Sequence, residues 1–364
     1  MPNEDSPAPA LKRTPFHELH SQAGARMVDF AGWDMPVSYA GILEEHRSVR
    51  TSVGVFDVSH MGEFIVEGDN AGEFLDHLLT NRVGDCPIGK AIYSPMCKED
   101  GGVVDDLIVY RRLDGSFLVV VNASNREKDF QWMKGRVGLF DVDLHEESDD
   151  WALLAVQGPE AMSTLKNLGM GEVFDLGRFR LVEFEWKGLP LIVSRTGYTG
   201  EDGVEIFVPT ERALELAKEL SVGEKIPWIG LGARDSLRLE AGLPLYGHEM
   251  SESITPVQAG FGWAVKTDKP SFIGRDALRM EKELGAEKTV RFFLVDDKRI
   301  AREGMPVLDE GGEIGVVLSG SKSPILDCPI GSALVDASFT GDAAWVDSRG
   351  KRLPIRFAKP PLHR

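Results

Sequence analysis

The chain has 364 residues, 42% of them hydrophobic and 27% charged, and at about 100–200 residues per domain this length holds two or three domains with real cores. A formal net charge of -17 argues against binding to nucleic acid or to an anionic membrane surface, so a small anionic ligand would need a local cation. Three cysteines without close pairing, Cys86, Cys97 and Cys328, argue against a disulfide framework and a C-x-x-C motif, and no run approaches the roughly 18 apolar residues of a membrane span.

Residues 1–11, rich in Pro, Ala and acids, predict a frayed tail with no secretory or transit signal, which fits a reducing, cytoplasmic location. The Asn122-Ala123-Ser124 sequon then has no secretory context in which to be used. Helices are predicted over 15–24 and 40–52, on either side of the Gly/Pro-punctuated stretch DFAGWDMPVSY. Next come strands at 62–67, 103–111 and 117–122, with helices at 71–80 and 125–134. A second run of the same kind has strands at 151–156, 191–195 and 203–208 and helices at 159–168, 211–220 and 233–241. A linker-like helix over 274–283 leads into short apolar runs broken by Gly, Pro and Asp from residue 289 onward, the pattern of a compact antiparallel β domain. The fold class is therefore α+β, with two α+β lobes and one all-β lobe.

Three segments stand out chemically. In GGVVDDLIVYRR, Asp105 and Asp106 interrupt a β-branched run. Adjacent strand residues point to opposite faces, and both faces here are apolar, so at least one carboxylate is partly desolvated. A carboxylate that ends the strand through local backbone bonds accounts for the pattern about as well. In SRTGYTGEDGVEIFV, Glu205 lies within a strand; it is either an inward acceptor for an amidine-like edge or an exposed charge on a half-solvated sheet. In GLGARDSLRLEAGLPLYGHEM, Arg234 and Arg238 share one helix face and can meet anions or form an interlobe Arg–Glu network. Its Gly-x-Gly lacks the third glycine of a dinucleotide fingerprint. None of the eight histidines stands in metal-ligand spacing, and His60 reads as a core imidazole. Walker and nucleophile-elbow motifs are not found in the sequence.

Together, MVDFAGWDMPVSY, VRTSVGVFDVSHMGEF, AIYSPMCKEDGGVVDDLIVYRR, SRTGYTGEDGVEIF and GLGARDSLRLEAGLPLYGHEM strongly resemble the glycine cleavage T-protein family, from about Lys12 to the C-terminus. The resemblance implies a three-domain cloverleaf around a central folate pocket: residues 12–53 with 148–265, residues 54–147, and a β-barrel-like lobe over 266–364. It implies transfer of the methylene carbon of an aminomethyl group, carried on the lipoyl arm of a separate H-protein, to tetrahydrofolate, with no metal and no flavin. Matched motif to motif, Asp106 falls on the family's catalytic aspartate, Glu205 on a pterin-contacting glutamate and Arg234 on a folate-contacting arginine. Met61, Tyr93, Val120, Asn122 and Tyr198 look like pocket-wall positions, and Arg364 resembles an arginine near the family's C-terminus. The alternatives are a folate-dependent demethylase of the same fold and a non-enzymatic folate-binding iron–sulfur assembly factor. Some of the former are fused to a flavin domain, for which the lobes already assigned leave no room, and the latter has a K-G-C-Y-x-G-Q-E motif not found here.

Overall fold

The computed structural model describes residues 10–223 and 225–364; most of the tail predicted over 1–11 lies outside them. One five-stranded antiparallel sheet runs in the order Leu181–Trp186, Leu189–Ser194, Gly203–Pro209, Trp151–Gln157, Gly54–Asp57. A second runs Ala91–Cys97, Val103–Arg111, Phe117–Val121, Gly62–Glu67, Asp143–Glu146. Six strands between residues 288 and 358 close an antiparallel barrel; the short apolar runs of that region predict an antiparallel β domain, and the resemblance implies its barrel form. The strand Gly54–Asp57, expected to open the second lobe, instead pairs with Trp151–Gln157 of the first. The stretch expected to be loop-like before residue 40 is a hairpin, Arg26–Phe30 with Trp33–Ser38.

Alternation along the strands sorts the side chains into three layers. The outer face of the first sheet (Val204, Ile206, Val208) packs on the helices Ala161–Asn167 and Ala213–Lys218. The outer face of the second (Phe64, Val66, Val109, Val119) packs on Ala71–Leu78 and Arg126–Lys134. In Ala71–Leu78 the residues Phe74, Leu75 and Leu78 are fully buried, each worth about 1.5–3 kcal/mol of transfer free energy. The inner faces meet: Phe56, Leu153, Ala155, Ile192 and Phe207 of the first sheet share a core with Ile65, Tyr110, Leu118 and Val120 of the second.

The helix Leu231–Ala241 joins all three lobes. It starts hard against the hairpin, where a Cβ on Gly230 would stand 2.4 Å from the Val37 carbonyl carbon, so the Gly-x-Gly serves close packing. It stops at Gly242, at φ 79 in the left-handed region, where any side chain would also strike Pro360. Within it, Arg238 is 1% exposed and donates to Glu249 at 2.7 Å, to Asp235 at 2.9 Å and to Ser319 of the barrel at 2.9 Å. Glu249 in turn accepts from the barrel's Ser332. Glu240 accepts from Arg50 at 2.7 Å, pairs with His46 at 3.0 Å and accepts from Ser323 of the barrel. The linker to the barrel is fastened by Lys269, whose buried ammonium donates to the carbonyls of Asp76, Leu79 and Asn81 at 2.7, 2.8 and 2.7 Å, neutralising the C-terminal end of the helix Ala71–Leu78.

All three cysteines are free: Cys97 is buried and Cys86 and Cys328 are partly so. Burial pushes the Cys86 thiol up to about 11 and raises the other two as well. No helix among the described residues is long and apolar enough to cross a membrane.

Asp129, on the helix Arg126–Lys134, is fully buried and neither of its oxygens has a donor. Burial, and after it the charge of Asp105, pushes its carboxyl up to about 11. The folded chain thus keeps a neutral acid where the unfolded chain ionises. A group whose folded pKa is raised contributes stability that is complete below its unfolded value of 3.8 and is lost as pH climbs toward the folded one. Asp129→Asn keeps an N–H for Asp105 and cannot ionise. Denaturant unfolding should therefore show little advantage for the variant near pH 4 and one that grows by roughly 1.4 kcal/mol per pH unit above that, reaching about 5 kcal/mol at pH 8. A pH-independent difference would contradict this origin.

Candidate active site

On Val103–Arg111, the residues Asp106, Ile108 and Tyr110 face the opposing sheet, whereas Asp105, Leu107 and Val109 face the helices. The two adjacent aspartates are thereby assigned to different environments. Asp105, 0% exposed, accepts from the Asn122 backbone at 3.0 Å, the Asn122 amide at 2.8 Å and the Asn125 amide at 2.7 Å. Three N–H donors make it a satisfied buried anion.

Asp106 has fewer partners. The Tyr93 hydroxyl donates to it at 3.0 Å and the Asn122 amide at 3.1 Å. Its pKa is pushed up to about 7 by burial and then by the charge of Asp105, against those two bonds. A carboxylate that is under-solvated and beside a fixed negative charge attracts a developing positive charge strongly, because little of its field is spent on water. Beyond Tyr93 an aromatic patch continues outward through Phe261 at 5.8 Å and Trp263 at 5.9 Å from its ring. Trp263 is 57% exposed.

From the opposing sheet, Glu205 and Phe207 enter the same inner layer. Glu205 is 9% exposed; one oxygen accepts from Thr196 and, across the gap, from Tyr110 at 3.2 Å. Tyr110 thus links the two sheets at the glutamate. Val120 lies in this layer, and Met61 packs against it. At its edge Arg234 rests over the Tyr198 ring at 4.7 Å, and Tyr198 is held by the Pro244 carbonyl. The Arg234 guanidinium makes no hydrogen bond or ion pair among the described residues, and its main electrostatic neighbours are Tyr198 and Glu205. Burial lowers its pKa, yet a guanidinium stays charged, which leaves a cation without a counter-ion. Of the two arginines on this helix face, only Arg238 forms the expected interlobe network.

Asp106, Tyr93, Asn122, Val120, Met61, Glu205, Arg234 and Tyr198 therefore gather along one interlobe layer. Arg364 does not join them. It lies on the surface with 59% of its side chain exposed, donating to the Gly200 carbonyl at 3.2 Å and standing 3.9 Å from Glu201, because the last residues dock over the far end of the helix Leu231–Ala241. Two further polar groups are buried near the layer: His60, expected as a core imidazole, and Glu63, which the sequence reading missed. His60, 3% exposed, has an unpartnered Nδ1, and burial lowers its pKa to about 4. Glu63, 0% exposed, has no donor to either oxygen. The signal for Glu63 was present: a charge in GEFIVE on the same strand face as Ile65.

Comparison with known proteins agrees with this architecture. Residues 16–269 match the GCVT N-terminal domain and residues 288–363 the glycine cleavage T-protein C-terminal barrel domain. An aminomethyltransferase of Desulfitobacterium hafniense (strain DSM 10664 / DCB-2) is 46% identical over 352 residues, covering 95% of this chain and 96% of that protein. One of Thermosipho melanesiensis (strain DSM 12029 / CIP 104789 / BI429) is 44% identical, covering 97% and 98%. The crystal structure of the glycine cleavage system aminomethyltransferase T from Bartonella henselae superposes with a TM-score of 0.90 at 35% identity, over 97% of this chain and 98% of that one. With both domains matched and similarity along nearly its whole length, the chain belongs to the glycine cleavage T-protein family of aminomethyltransferases.

Proposed function

We propose that this aminomethyltransferase takes tetrahydrofolate into the layer between its two facing sheets and receives the aminomethyl group on the lipoyl arm of a separate H-protein. The observation that carries the reading is the convergence of Asp106 and Glu205 from opposing sheets on one layer, with the unpaired cation of Arg234 beside it. A reduced pterin offers parallel N–H donors that suit a buried carboxylate, and the glutamate tail of a folate suits a cation without a counter-ion.

In the reaction the carbon–nitrogen bond of the aminomethyl adduct breaks and ammonia leaves. The resulting electron-poor methylene carbon is taken by the folate's nucleophilic nitrogens, and the sulfur is released as a thiol of the dihydrolipoyl arm. The product is 5,10-methylenetetrahydrofolate. Asp106 supplies negative potential where positive charge develops and orients the amine; Tyr93 and Asn122 hold its carboxyl in place. Glu205 orients the pterin and Arg234 anchors the tail.

Asp106→Asn should lower kcat by about 10²–10³ while tetrahydrofolate affinity changes much less. Asp105→Asn should cost about 1–2 kcal/mol of stability, through the loss of its accepted hydrogen bonds, with near-normal turnover in the folded fraction. Turnover and melting of both variants test the assignment, and the opposite pattern would place the chemistry on the other strand face.

Because Asp106 acts as the anion, kcat/KM should rise with pH through about 7 and level off above it. Asp105→Asn removes the neighbouring negative charge and should move that acid limb to lower pH. An acid limb that stays put in this variant would assign the ionisation to another group.

Glu205→Gln should weaken tetrahydrofolate binding by about 1–3 kcal/mol. Titration calorimetry reads this directly, and an unchanged affinity would remove Glu205 from the pterin edge.

A further inference from the structure

Glu63 is a buried acid in the inner layer that the chemistry above does not use. It shares a strand face with Ile65 and pairs in register with Val120, which pairs in turn with Ile108. Its carboxyl therefore enters the layer that receives Asp106 and Glu205. It is 0% exposed, and neither oxygen meets a donor. The cation acting on it, Arg126, spends its guanidinium on Glu146 at 2.6 Å and Asp149 at 3.0 Å. Native chains rarely seal a carboxyl without partners, and an orphan of this kind beside a binding layer points to a ligand group.

We infer that Glu63 is a specificity-determining residue of this pocket, whose carboxyl meets a heterocycle edge presenting an acceptor next to a donor. Burial holds its pKa well above the ordinary range, and the charges of Glu146, Asp149 and Glu205 add to the effect against the pull of Arg126. The group is therefore a neutral acid that donates one hydrogen bond and accepts one. The inference rests on the folate reading. A reduced pterin has such an edge at N1 and N8–H. Geometry favours it: Glu63 lies two strand spacings, roughly 10 Å, across the sheet from Ile108, and Asp106 is two residues, roughly 7 Å, further along that strand. Asp106 and Glu63 thus flank a bicyclic ring from opposite sides, so that with Asp106 at the reacting nitrogens Glu63 meets the other edge.

The test is calorimetric titration of the full-length protein with tetrahydrofolate, supported by steady-state kinetics. Glu63→Gln, which keeps one donor and one acceptor, should bind within about three-fold of the wild type. Glu63→Leu should bind about 10- to 100-fold more weakly, since a buried polar edge loses its partner. The effect should fall on KM for tetrahydrofolate, with kcat at saturation little changed and melting at or above that of the wild type. A second measurement needs no variant: 8-deazatetrahydrofolate, which lacks N8–H, should bind the wild type at least about ten-fold more weakly than tetrahydrofolate. Wild-type affinity in Glu63→Leu, or equal affinities for the two ligands, overturns this inference alone. Failure of the wild type to bind tetrahydrofolate overturns the folate reading and this inference with it.

Discussion

The buried ion pair between Arg238 and Glu249 is the interaction on which the arrangement of the lobes depends. Both side chains are all but sealed from solvent, and breaking such a pair from one side strands a charge at a cost of about 3–5 kcal/mol. Because Ser319 and Ser332 of the barrel complete the pair, the barrel and the helix Leu231–Ala241 are fixed together. The same helix carries Arg234 four residues earlier, with no counter-ion of its own. One helix thus contributes a neutralised charge that pins the scaffold and an open charge beside the proposed ligand layer. The difference lies in what surrounds each guanidinium.

A parallel division holds within the strand Val103–Arg111. Pleating sends Asp105 toward Asn122 and Asn125 and Asp106 toward the opposing sheet. Asp105 is saturated with donors and serves as a fixed negative charge, while Asp106 feels that charge through the backbone and ionises reluctantly. Asn122 touches both carboxyls. The local field is therefore set from the helix side of the sheet, away from the layer a ligand would enter.

Much of this was legible in the amino-acid order wherever period and punctuation agreed. The run VVDDLIVYR is a strand from its β-branched content, but its two faces are equally apolar, so periodicity treats Asp105 and Asp106 alike and only the motif resemblance singles out Asp106. The C-terminal lobe announced itself as antiparallel β by short apolar runs between turns. The segments that resisted were those whose structure comes from partners. Gly54–Asp57 is four residues long and exists as a strand because Trp151–Gln157 pairs with it. Ala91–Cys97 contains Pro95, tolerated because the strand lies at a sheet edge. The hairpin Arg26–Ser38 looks like a loop in composition. For the site, motif resemblance selected residues that gather along one layer, whereas Arg364 stands apart on the surface because its position depends on where the last residues dock. Glu63 was overlooked because an acid in a strand ordinarily marks the solvent face.

The three cysteines acquire a different meaning beside the proposed partner. A protein that receives a lipoyl arm works in contact with a dithiol, and any accessible thiolate of its own would be open to exchange with it. Exchange requires the thiolate form, and here burial holds Cys86 at about 11 and lifts Cys97 and Cys328 above their ordinary value. On the proposed reading, these raised thiols take no part in the sulfur chemistry of the arm. Such inertness would allow the swinging arm to be handed on with both of its sulfurs intact.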